Sequence, residues 1–393
     1  MRSLRLTSIL LLAATTAVLA LGCGGGTTEP KAEYSVISTY MGTGEAAQGA
    51  DGLAPDRTAL YWPQDITFGP NGNAYVADWN NHRIRMVENG IAQTIIGTGE
   101  LGDADDGLAA EASLNHPTHV SFDPLGRLIL SAWHNSKIIR YDFSTKMMQT
   151  ICGDGRRSFA GDGGPAENGV LDLPAATAWD SSGRMYIMDQ ANQRIRFIDN
   201  GTIDTFAGKG TPPGYEGDGG LAKDARFNMP VGQAAAPAGK VVIDRNDVMY
   251  VADTGNHVIR RILPDDHPAP GARLSHETNI IELFAGTPKA PGVEGEGVPA
   301  TQAKFRFPND VAVAPNGDVF IADTYNHCVR RVDQDGIITT FAGQLGRSGY
   351  GGDGGHPADA LLNQPVGLEF DAEGNLYIAD RVNNRIRVVW KNP

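Results

Sequence analysis

One short unit recurs six times along the chain, and that repetition limits the fold more than any other feature. Tyr75-Val-Ala-Asp78 returns as Tyr186-Ile-Met-Asp189, Tyr250-Val-Ala-Asp253, Phe320-Ile-Ala-Asp323 and Tyr377-Ile-Ala-Asp380, with a degenerate copy at Ile129-Leu-Ser-Ala132. Three residues after each closing position stands an Asn: Asn81, Asn135, Asn192, Asn256, Asn326 and Asn383. A basic, β-branched run follows, such as Arg194-Ile-Arg196. A proline opens each unit, at 63, 117, 174, 230, 308 and 365. A period of this size means modules that bury their apolar faces against one another.

Each unit reads as four strands. Strand a follows the proline and ends in a turn with Gly72, Gly126, Gly183, Gly317 or Gly374, where a positive φ costs glycine little. The fourth copy has Asp247 there, after extra residues. Strand b is the Tyr-Val-Ala-Asp run, apolar enough to be covered on both faces. Strand c alternates basic and apolar residues. Strand d ends Thr-x-x-Gly, at Gly97, Gly153, Gly208 and Gly343, with a variant at Gly286. The last unit stops after strand c, and the missing strand stands at the other end as Thr39-Tyr-Met-Gly42. Such a chain is built to close into a ring, which removes an exposed sheet edge.

These motifs resemble the NHL-repeat family over residues 34–393, nearly the whole chain after its leader. The resemblance implies an all-β, six-bladed β-propeller of four-stranded blades, closed by the N-terminal strand.

Residues 1–22 read as a secretory signal, with Arg2 and Arg5 ahead of an uncharged run over 6–21 that is short for a membrane span. The run ends at Cys23 and resembles a bacterial lipobox, with Ala20 where Leu is usual. Lipidation of Cys23 is therefore expected, with residues 23–33 as a flexible tether. That makes the protein an extracytoplasmic, lipid-anchored component of the bacterial cell envelope, with the outer membrane favoured because Gly24 is not Asp. With only Cys152 and Cys328 besides, a disulfide framework is excluded. The formal charge of −13 repels phosphate backbones, so nucleic acid is not an expected partner. The strand-c arginines are expected on a solvated outer strand beside acids, not in an RNA-binding patch of the kind some NHL proteins carry.

Loops of about 20 residues join each strand d to the next proline, a length that is often functional. They carry their own motif, Gly161-Asp-Gly-Gly164, Gly217-Asp-Gly-Gly220 and Gly352-Asp-Gly-Gly355, with looser copies at Asp51, Asp106 and Glu296. One acid per loop is thin for calcium. A tight turn, a short helix and one apolar anchor (Leu60, Leu114, Leu171, Phe227, Phe305, Leu362) fit better. The strand-b Asp recurs in five units, which suits a backbone-bonding role repeated in every blade, because a catalytic group is needed once.

Function is sought where the repeats differ. Two positions past each proline the chain reads Asp65, His119, Ala176, Gly232, Asp310 and Gly367, a set expected at the channel mouth. Asp65, His119 and Asp310 are candidate ligands for a divalent metal, against the alternative of a polar, water-filled mouth. Related propeller lyases use channel-mouth histidines for metal, but only one His occupies such a position here. No cofactor is otherwise expected. Trp79 and Trp133 share a repeat position, with His134 beside the second and Tyr325 one place further along. On exposed loops they would make a recognition surface for a protein or carbohydrate ligand. No nucleophile elbow, zinc-protease helix or phosphate loop appears. The reading is a monomeric, membrane-tethered binding platform; the alternative is a propeller lyase or lactone hydrolase with a channel metal.

Overall fold

A computed structural model describes residues 33–232, 235–265, 267 and 273–392. The signal, Cys23 and all of the tether but Glu33 lie outside the described residues. Tyr34–Pro393 form one compact unit. It contains six antiparallel sheets, and the only helices among the described residues are single 3-10 turns. None is long and apolar enough to cross a membrane.

The six inner strands are Asp65–Phe68, Pro117–Phe122, Pro174–Trp179, Val241–Ile243, Pro308–Val313 and Pro365–Phe370, in blades one to six. Each packs beside the next, and the sixth packs beside the first, so the ring is closed around a channel. In blade six the outer strand is Tyr34–Met41, paired antiparallel with Arg385–Lys391 in the register Ile37↔Val389. Strand b is buried along its whole length in every blade, as its unbroken apolar run requires. The turn residue after strand a is left-handed throughout, from Gly126 at φ 75 to Gly317 at φ 92, and Asp247 takes φ 58.

The buried Asp at the end of strand b works as a junction. Asp189 Oδ1 accepts the Asp172 N–H at 2.8 Å, and its Oδ2 accepts from Asn192 at 2.8 Å. The same pair of bonds recurs at Asp78, Asp253, Asp323 and Asp380. Each binds the chain as it arrives from the long loop and holds the turn that follows.

The strand-c arginines depart from expectation. Arg85, Arg196, Arg260, Arg330 and Arg387 are fully buried, not solvated. Each lies 3.4–4.0 Å from the strand-b Asp of its own blade. Each also reaches the acid of the long loop: Asp51, Asp162, Asp218, Glu296 or Asp353. That acid in turn accepts from the strand-d Thr in four blades, as Asp162 does from Thr205 and Asp353 from Thr39. The long loops therefore belong to the frame: they neutralise a buried guanidinium and tie down the outer strand. Their anchors, Leu60 through Leu362, are all fully buried.

Blade two shows the logic by omission. It has Ala132 for the Asp and Ile139 for the Arg, and Asn135 Oδ1 takes over the loop N–H, from Asn115 at 2.8 Å. Losing both halves of a buried ion pair is tolerated where losing one is costly. Cys152 and Cys328 are buried free thiols.

Candidate functional site

The channel-mouth set closes on a residue that counting from the proline misses. In blade four the extra residues shift the register, and Gly232 is displaced from the ring. Lys240 takes its place: the Ala252 N–H donates to Lys240 O at 3.1 Å, the pairing that Asp65 makes with Ala77 in blade one. The signal was present in the sequence. Seven residues before the turn residue stand Asp65, His119, Ala176, Lys240, Asp310 and Gly367. The ring is small at Gly367 because a Cβ there would meet Gln64 O at 2.6 Å.

Lys240 Nζ lies 2.5 Å from Asp65 Oδ1 and 2.9 Å from Asp310 Oδ2, and all three side chains are buried. The carboxylates are further occupied. Asp65 Oδ2 accepts the Val120 N–H at 3.0 Å, and Asp310 Oδ2 accepts the Leu368 N–H at 2.8 Å. Burial pushes the Asp65 carboxyl up, but Lys240 and His119 push harder and hold it at about 2. Burial opposes the Lys240 charge, yet Asp310 and Asp65 raise its pKa above the usual lysine value. His119 Nε2 donates to Thr177 O at 2.9 Å, and Nδ1 sits 2.8 Å from Asp65 Oδ2, an ion pair when Nδ1 also carries its proton.

The structure thus brings Asp65, His119 and Asp310 together, around a protein ammonium. As they stand they do not fit a metal: the lone pairs that would face it are bonded to Lys240 and to backbone N–H groups. Among the described residues no group of three or more His, Cys, Asp or Glu is arranged to hold one. Beyond the triad, towards the a–b turns, a cavity of about 330 Å³ is lined by Asp65, His119, Asp310, Ser121 and Glu369. Burial, and then Asp65 and Asp310, push Glu369 up to about 8.

The tryptophans also differ from expectation. Trp133 is fully buried, and Trp79 is half-buried against the same core cluster. Trp133 stacks on His134 at 4.2 Å, and Trp79 lies 4.3 Å from His116. Burial first, then neighbouring positive or imidazole groups, pushes His116 down to about 3 and His134 to about 4. Trp79, Trp133 and His134 therefore form a packed seam of neutral rings between blades, because the residue after strand b turns toward its neighbour's equivalent, not out to solvent.

Tyr325 stands apart from that seam. It lines a pocket of about 530 Å³ on the loop-rich face, together with Pro230, Val231 and residues 235–238 of blade four. Its lining also includes Arg306, Phe307 and Arg381. Asn309 lines this pocket while its neighbour Asp310 lines the far cavity, so the Lys240 triad separates the two. Arg381 occupies the repeat position of Trp79 and Trp133, the sequence signal by which it could have been found.

Closed ring, buried Asp–Arg junctions and a loop-rich face define a six-bladed β-propeller. Comparison with known proteins gives its family. The teneurin NHL domain model matches residues 34–212 and the NHL repeat model matches 305–332 and 362–389, and the chain is an NHL-repeat β-propeller. Teneurin-1 of Mus musculus is 28% identical over 393 residues, which takes in 91% of this chain and 13% of that protein. The chain thus spans a small part of the length of the teneurins it matches. An auxiliary nutrient binding protein from Bacteroides ovatus has TM-score 0.65 at 17% identity, over 92% of this chain and 78% of that one. A gluconolactonase from Xanthomonas campestris has TM-score 0.52 at 12% identity, over 92% and 96%. At those identities the likeness is one of fold.

Proposed function

We propose that this chain is a binding platform of the cell envelope, extracytoplasmic and held to a membrane, the outer one favoured, by a lipid on Cys23. Its ligand is taken on the loop-rich face. The fold does not choose between platform and enzyme, since propellers host both. The observation that favours the platform is Lys240, which spends the channel carboxylates on an internal ion pair while a pocket of about 530 Å³ stays open beside it. The alternative, a lyase or lactone hydrolase with a metal on Asp65, His119 and Asp310, needs those carboxylates free.

Two measurements test the reading. Elemental analysis of purified protein finds no stoichiometric metal if the platform is right; one tightly held divalent ion per chain supports the enzyme. Cys23→Ser should release the protein from the membrane fraction. Retention after a high-salt wash would count against the anchor.

A further inference from the structure

We propose that the pocket on the loop-rich face takes a small organic carboxylate, gripped by Arg306 and Arg381. This rests on the platform reading and names its ligand class.

Five other arginines of the propeller are buried against an Asp of their own blade. Arg306 and Arg381 are not. Among the described residues neither guanidinium has a carboxylate partner, and no Asp or Glu lines the pocket. Arg381 is half-buried; its Nη2 donates to Gln364, but its Nε is enclosed without any hydrogen-bond partner. Its guanidinium lies 5.7 Å over the Trp62 ring, and the Tyr325 hydroxyl lies beside it. Burial pulls its pKa down, and the Tyr325 hydroxyl, not a carboxylate, pushes back only in part. A desolvated cation without a counter-ion is destabilising, and an entering anion removes that penalty with paired, charge-assisted hydrogen bonds.

The rest of the pocket defines the body that carries the charge. Phe307 and Tyr325 meet edge to face at 5.3 Å and 79°, and Pro230, Val231 and Pro237 add apolar lining. The threonine hydroxyls are already committed: Thr324 donates to Pro365 O at 2.8 Å, and Thr254 accepts the Gly239 N–H at 3.1 Å. What remains for a ligand is apolar and aromatic surface with two guanidiniums in the lining, Arg381 half-buried and Arg306 exposed. The volume suits a small organic molecule. The protein's formal charge of −13 favours a monoanion over phosphate, whose second charge the surrounding field opposes.

The test is calorimetric titration of the full chain in detergent with phenylacetate, glucuronate, phenylacetamide and inorganic phosphate. At least one carboxylate should bind, and which of the two binds tighter tells whether the body is aromatic or a sugar. Phenylacetamide should bind about tenfold or more weakly than phenylacetate, the loss expected for a missing charged hydrogen bond. Arg381→Gln and Arg306→Gln should each weaken carboxylate binding similarly, with the melting curve retained. The proposal is overturned if neither carboxylate binds, if phosphate binds more tightly than both, or if Arg381→Gln leaves affinity unchanged. Equal binding of the amide, lost in Tyr325→Ala, would overturn the carboxylate and leave the platform standing. The platform itself stands or falls on the metal analysis.

Discussion

The Trp133 indole Nε1–H donates to Gln190 Oε1 at 3.0 Å, joining the equivalent positions of blades two and three. Gln190 passes the connection on. Its Oε1 also accepts the Ala238 N–H at 3.1 Å, and its Nε2 donates to Pro230 O at 2.9 Å and Ala236 O at 3.0 Å. A tryptophan that sequence placed on a recognition surface thus supports, at second hand, the loop that walls the open pocket.

Trp133→Ala should therefore cost about 3–5 kcal/mol of folding stability, the range for a large buried aromatic. Chemical denaturation measures it. A loss within about 0.5 kcal/mol, the scale of a surface substitution, would show that the side chain does not hold the core.

Lys240→Met should be destabilising by about 3–5 kcal/mol, because it leaves Asp65 and Asp310 as buried carboxylates without their cation. Adding Asp310→Asn in the same chain should recover part of the loss, since one uncompensated charge then goes. If the double variant is no more stable than the single, the ion triad is not what holds these strands together.

Glu369 gives a pH dependence whose sign follows from its environment. Its folded value is raised from the ordinary 4.5 to about 8, so between those values the folded chain keeps a proton that the unfolded chain releases. The stability linked to this group is complete below about 4.5 and is lost as pH rises through about 8. Across pH 5 to 9 the wild-type melting temperature should fall relative to that of Glu369→Gln. Parallel curves would mean that Glu369 is ionised in the folded protein at neutral pH.

Removal of residues 34–42 should abolish the cooperative melt or lower it sharply. The deletion strips the outer strand from Arg385–Lys391, opens a sheet edge, and removes Thr39 from Asp353. An unaltered melting temperature would refute ring closure as a source of stability.

Six copies of one pattern, and a first strand matching the one the last copy lacks, were enough to define the propeller and its closure from sequence. The reason is physical: strand period, turn glycines and apolar runs are local properties, and a repeat states them six times. The Asp that ends strand b in five of the six blades is also legible as structural. What sequence did not give is which charges meet. The buried Arg85 and its equivalents look like an exposed strand when read alone, because the loop acids that neutralise them lie some 34 residues away, as in Arg196 and Asp162. Lys240 escaped for a related reason: an insertion moved it relative to the proline, and only the sheet register sets it beside Asp65, 175 residues earlier. Trp133 reads as a surface residue in sequence because a loop position does not say which way its side chain turns. Burial and ion pairing depend on separations through space, and only the closed ring, bringing blade four across the channel to blade one, decided them.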